Sequence, residues 1–110
     1  MLATIGRDND PADLGHLPEN VIVEQYVPQA DVLPLCAVAV GHAGSGSTLG
    51  ALAHGLPMLL LPHGADQFEN ARACADRGAA RVLMPNELTS TNVAAAVTSC
   101  LLYTSPSPRD

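Results

Sequence analysis

The sequence predicts an α/β fold, a Rossmann-like parallel sheet with flanking helices. Three observations carry that expectation. Apolar runs of strand length alternate with helix-like segments along the chain. The two clearest helix-like segments each end on a glycine, at Gly55 and Gly78. The run Pro57-Met58-Leu59-Leu60-Leu61-Pro62 has no polar break, as a strand covered on both faces would read. Alternation at this spacing implies right-handed βαβ units. A length of 110 residues leaves room for one small domain.

The elements follow in order. Met1–Ile5 is strand-like and stops at Gly6. Asp10–Leu14 has Pro11 at the first helical position after Asp10, which predicts a single turn. The turn residues Leu17-Pro18-Glu19-Asn20 precede a strand at Val21-Ile22-Val23. A turn of helix at Asp31–Cys36 leads into the β-branched run Ala37–Val40. Helices are expected at Ser47–His54 and Ala65–Asp76, on either side of the Pro57–Pro62 strand. Arg81-Val82-Leu83 reads as a further strand, and a last helix starts at Thr91–Val97. Residues 1–99 contain no internal repeat and no linker.

Both ends look cut. The first strand has no lead-in, and Pro106 and Pro108 forbid continuation of the last helix. Cys100–Asp110 resembles the in-frame translation of a transposon-end sequencing adaptor, which assigns residues 1–99 to an incomplete domain and 100–110 to a non-native tail. A natural Ser/Pro tail is the alternative.

Composition excludes several functions. Five arginines face eleven Asp plus Glu, for a net charge of −6, and there is no lysine. No basic stripe exists for nucleic acid, and the net field repels a polyanion. The lack of lysine also removes a Walker A phosphate loop and any Schiff-base mechanism. No apolar run approaches the ~18 residues that cross a bilayer, and no leader opens the chain, so no membrane span is expected. The cysteines at 36, 74 and 100 form no metal spacing and are odd in number. They read as small buried apolar residues of a reducing cytoplasm. His16 and His54 lack partners at metal spacing, so no metal is expected.

In such a sheet ligands bind beyond the carboxyl ends of the strands. Gly41-His42-Ala43-Gly44-Ser45-Gly46-Ser47-Thr48 leaves one strand and opens a helix. Gly44 and Gly46 permit close approach to the backbone, and a helix start presents unpaired N–H groups. Ser45, Ser47 and Thr48 add hydroxyls, and His42 offers a ring donor; together they suit a diphosphate. A tight βα turn with a Ser N-cap accounts for the same residues. After the next strand, Asp66 and Gln67 combine acceptors with a donor, which suits vicinal sugar hydroxyls; Asp66 as a simple N-cap is the alternative. After the second strand, Tyr26 offers a ring to stack on a base, Val27 a backbone edge, and Gln29 a helix start beyond Pro28. Taken alone, that segment reads more simply as a core tyrosine and a turn proline.

Tyr26-Val27-Pro28-Gln29, His42–Ser47, His54-Gly55-Leu56-Pro57 and Pro62–Ala71, in this order and spacing, resemble the donor-binding half of a GT-B fold family 1 glycosyltransferase. The likeness is greatest to bacterial enzymes that glycosylate macrolides and other natural products. It covers essentially Thr4–Val97. The resemblance implies His42 on a donor phosphate, and Gly44, Ser45, Gly46, Ser47 and Thr48 on the diphosphate. It also implies Asp66 and Gln67 on sugar hydroxyls, and Tyr26, Val27 and Gln29 around the nucleobase. Plant members usually carry Trp where Tyr26 stands, and an acidic residue for the ribose where Gly50 stands. The missing carboxylate is compatible with a deoxyribose donor such as a dTDP-sugar, and the donor expected is a UDP- or dTDP-sugar. Ala43 replaces a glycine, a small change in backbone freedom.

The activity so implied is transfer of a hexose, with inversion, to a hydroxyl of a small natural-product acceptor. It needs no cofactor beyond the nucleoside-diphosphate sugar substrate. The general base and acceptor site are expected in an N-terminal domain outside these residues, so the polypeptide alone is expected to be inactive. Other expectations are a nucleotide-sugar binding module, a related GT-B lipid or sterol glycosyltransferase, or a sugar-nucleotide epimerase.

Overall fold

The computed structural model describes residues 1–102. They fall into two compact units, Met1–Val32 and the part from Leu33 onward. In the first, β1 (Leu2–Thr4) and β2 (Ile22–Glu24) pair in parallel, with Leu2 opposite Ile22. The pairing continues as the Ile5 and Gly6 amides donate to the Glu24 and Gln25 carbonyls at 3.1 and 3.0 Å. Between the strands, Asp10 caps a single 3₁₀ turn over Pro11–Leu14, accepting from the Ala12 amide at 2.9 Å. The short helix α1 (Gln29–Val32) closes the unit. No residue of this unit is fully buried.

The second unit holds β3 (Ala39–Gly41), β4 (Met58–Leu60) and β5 (Ala80–Val82), all parallel and in that order. The helices α2 (Ser45–Ala53) and α3 (Ala65–Asp76) make the two crossovers, and α4 (Ser90–Leu102) packs on β4. Parallel neighbours require such crossovers, because a short hairpin cannot return the chain to the same end of a sheet. Met58, Leu59 and Leu60 are 1, 0 and 3 % exposed, so the central strand is covered on both faces, as its unbroken apolar run predicts. Met58 and Leu60 pack with Ala43, Ala51, Leu56, Ala71 and Cys74. Small alanines where the helices meet the sheet let them approach closely; the buried hydrophobic residues are Ala, Leu, Met and Cys, with no buried aromatic among the described residues. Gly55 and Gly78 end α2 and α3 with φ of +63° and +72°, the left-handed backbone a glycine takes without steric cost.

The ladders are shorter than the apolar runs that announce them. The Pro57–Pro62 run yields Met58–Leu60, since prolines donate nothing to a ladder. The third strand sits two residues later than the Ala37 start expected from sequence, where the Ala39 amide finds the Pro57 carbonyl at 3.0 Å. Cys74 and Cys100 are buried and Cys36 is half-buried; none of the three is in a disulfide. Cys100–Leu102 lie in α4, with the Cys100 thiol 3.8 Å from the Met58 carbonyl oxygen. The rest of the tail proposed at 100–110, from Tyr103, lies outside the described residues. Among the described residues no helix is long and apolar enough to cross a membrane.

Candidate functional site

The turn between β3 and α2 is built on a buried hinge. Ala43 is 1 % exposed and adopts φ +72°, the only positive φ outside glycine among the described residues. Its position therefore demands a left-handed backbone, so alanine there is a larger departure from glycine than the sequence alone implies. An L-residue pays roughly 1–2 kcal/mol for that conformation. The next residue, Gly44, is extended and is the N-cap of α2, whose first helical bond runs from the Thr48 amide to the Gly44 carbonyl at 2.9 Å. The helix thus begins two residues before the expected Ser47, and its cap is a glycine with no side chain to satisfy the first turn. The amides of Ser45 and Gly46 stand in positions without an intrahelical acceptor, on exposed residues at the positive end of a nine-residue helix.

His42 stands over this mouth. A Cβ placed on Gly44 would lie 2.9 Å from the His42 Nε2 atom, so the imidazole occupies the space that only a glycine leaves open. Ser45, Gly46 and Ser47 are exposed beside it. Thr48 differs from the rest of the segment: it is 7 % exposed and its amide closes the helix, so its surroundings are core.

The second segment opens α3. Its N-cap is Gly64, which leaves Asp66 exposed in the first helical turn rather than serving as the cap. There the helix dipole favours a carboxylate by about 0.3–1 kcal/mol. Gln67 turns its side-chain oxygen back, where it accepts from the His63 and Gly64 amides at 2.9 and 3.3 Å. That commits the acceptor of Gln67 to the turn and leaves its NH₂ donors, so the Asp-Gln pair offers one acceptor fewer than its composition suggests. Asn70, one turn beyond Asp66 on the same helix face, donates to the Ala43 carbonyl at 3.0 Å and approaches the Ser45 hydroxyl at 3.4 Å. The structure therefore brings the Gly-rich turn and the start of α3 together through a residue that the sequence pattern alone leaves without a role. Its signals in the sequence are the four-residue offset from Asp66 and its place within the Pro62–Ala71 motif.

The third segment belongs to the first unit. Tyr26 is 57 % exposed, with the Arg7 guanidinium carbon 4.3 Å from its ring centroid. Arg7, Pro11, Glu24, Gln25 and Tyr26 line an open depression, to which Gln25 contributes while its amide donates to the Asn9 carbonyl at 2.7 Å. Val27 is half-buried, and Gln29 is the exposed first residue of α1. Tyr26 is thus a surface residue rather than a core one. His54 ends α2, its Nδ1 2.9 Å from the Gly50 carbonyl oxygen, in keeping with a helix-end residue. Among the described residues no group of three His, Cys, Asp or Glu side chains could hold a metal ion.

Parallel strands joined by crossover helices, with a glycine-capped helix start beside an imidazole at the end of a strand, define a Rossmann-like α/β protein. The chain belongs to the family of erythromycin biosynthesis protein CIII-like C-terminal domains, whose sequence model matches residues 2–106. It is 56 % identical, over 70 residues, to the elloramycin glycosyltransferase ElmGT of Streptomyces olivaceus, a match covering 64 % of this chain and 18 % of that protein. Among solved structures, the glycosyltransferase of kitacinnamycin superposes with a TM-score of 0.83 and 37 % identity, over 91 % of this chain and 26 % of the other. The glycosyltransferase VinC, solved in complex with dTDP, superposes with a TM-score of 0.72 and 30 % identity, over 94 % of this chain and 29 % of its own. The chain therefore spans about a fifth of the length of that curated relative. These matches bear out the resemblance to bacterial natural-product glycosyltransferases and the GT-B donor-half fold.

Proposed function

We propose that this chain is the donor-binding portion of an inverting glycosyltransferase that uses a nucleoside-diphosphate hexose. The observation that carries the reading is the imidazole of His42 lodged against Gly44 at the uncapped mouth of α2. An anion there meets backbone N–H donors and the positive helix end without any lysine. In the reaction, a general base on a part of the protein outside these residues removes the acceptor hydroxyl proton. The acceptor oxygen bonds to the anomeric carbon as the bond to the diphosphate breaks, and the electron pair leaves on the phosphate oxygen. The amides of Gly44–Ser47 and the His42 ring stabilise that developing charge.

The sugar role falls to the Asp66 carboxylate and the Gln67 NH₂ group, and the base role to Tyr26, Val27 and Gln29. Gly50, without a carboxylate for a ribose hydroxyl, favours a dTDP-sugar over a UDP-sugar. The acceptor is a small natural product with a free hydroxyl. Three cysteines outside any disulfide suit a reducing cytoplasm. Calorimetric titration of the chain with UDP and dTDP tests the reading: binding of one or both is expected, weakened at least about tenfold in His42→Ala. No binding to either nucleotide would end it, and glycosyl transfer by these 110 residues alone would end the assignment of the base to another domain.

A further inference from the structure

Asn70, one turn beyond Asp66 on α3, has itself no ligand contact assigned to it, yet it fastens the turn on which the anion seat depends. It lies on α3, 27 residues from Ala43 in sequence, and its Nδ2 reaches the Ala43 carbonyl at 3.0 Å. Ala43 is the residue held at φ +72°. Released from that conformation, an alanine would rotate the peptide that joins it to Gly44. That rotation would redirect the Gly44 amide, the start of α2 and the glycine surface against which His42 rests. Burial of the Ala43 methyl resists such a rotation, and so does the Asn70 amide. A glycine at 43 would need neither, since it takes a positive φ without steric cost.

We propose that Asn70 is a positioning residue for diphosphate binding: by holding the carbonyl of left-handed Ala43, it fixes the direction of the N–H groups at the mouth of α2. It acts through Ala43 rather than by touching the ligand. Because Asp66 lies one turn before it on the same helix, the same bond ties the start of α3 to the anion seat. The inference rests on the donor-binding reading above.

A double-mutant cycle on the 110-residue chain tests it, with UDP and dTDP as probes and calorimetry as the readout. Asn70→Ala weakens nucleotide binding about tenfold, the loss expected when one hydrogen bond and the conformation it holds are removed together. In the Ala43→Gly background the same change costs less than about threefold, because glycine keeps the turn without the clamp. A merely structural role would give the same loss in both backgrounds, and that result, or undiminished binding by Asn70→Ala, overturns the proposal. Should Asn70→Ala not fold, Asn70→Leu removes the donor while filling its space, and the same two outcomes apply. Failure of the unaltered chain to bind either nucleotide overturns the donor-binding reading and this inference with it; binding by the unaltered chain that Asn70→Ala retains overturns this inference alone.

Discussion

The segment after β3 and the segment after β2 both carry motif residues, but they are held in different ways. After β3, the groups proposed to meet a ligand are backbone amides and one ring, and the turn starts beside Leu60, 3 % exposed, which shares a buried cluster with Ala43, 1 % exposed. After β2, the groups proposed are mainly side chains, Tyr26 and Gln29, in a unit built on a two-stranded sheet in which no residue is buried. Backbone donors cannot reorient without moving the chain, so a close-packed core immediately beneath them fixes their direction. Side chains on a thin sheet keep their rotamers, and Tyr26 is held chiefly by Arg7 across its face. A charged group that must be met at fixed angles suits the first arrangement, and a flat base that needs only a ring face suits the second.

The sharpest way to break this comparison is through stability. Leu59→Ala empties the centre of β4 and is expected to cost about 2–5 kcal/mol. Ile22→Ala, at a residue 59 % exposed in β2, is expected to cost less than about 1 kcal/mol. Guanidinium unfolding of the two variants reads the difference directly, and equal losses would show that the first unit has a core of its own.

Nucleotide affinity sharpens it further. Gly44→Ala forces a Cβ to within 2.9 Å of the His42 ring, and the ring, being the far end of a side chain, is what gives way. Nucleotide affinity should fall about tenfold while the unfolding midpoint barely moves. Tyr26→Ala removes a stacking surface worth about 1 kcal/mol at the lower end of such contacts. Calorimetry should find that loss equal for UDP and dTDP, because stacking does not distinguish the two bases. A selective loss for one nucleotide would give Tyr26 a hydrogen-bonding role instead.

The smallest expected effect is alkaline. Burial pushes the Cys74 and Cys100 thiols up, with the Arg81 charge opposing it in part at Cys100. Above about pH 8.5 the unfolded thiols lose protons that the folded ones keep. The folded state then binds more protons, so stability falls as pH rises. Thermal unfolding followed across that range should show the decline, and Cys74→Ala with Cys100→Ala should flatten it.

Much of the fold is legible in the chain because its signals are local. The unbroken Met58–Leu60 run announces a strand covered on both faces, Asp10 and Pro11 announce a capped turn, and Gly55 and Gly78 announce helix ends. Each depends on residues within a turn or a strand of one another. The positions of the candidate residues in the fold are legible: Gly44 and Asp66 lie at the starts of two helices, and His42 just after a strand, as the sequence reading has them. Thr48 is less so, because whether a hydroxyl in a first helical turn faces out or in depends on what packs on that helix. Gln67 shows the same limit, since its oxygen turns to the amides of its own loop.

By itself, then, the sequence determined the parallel α/β class, the absence of lysine at any anion site, and a helix mouth of glycine and serine where an anion could be met. Tertiary structure alone decided that Ala43 takes a left-handed backbone, that the His42 ring rests on Gly44, and that Asn70 reaches across 27 residues to hold the turn. The reason is physical. Periodicity and capping are settled between near neighbours, whereas a strained peptide persists only where distant groups, brought close by the burial of other residues, over-determine it.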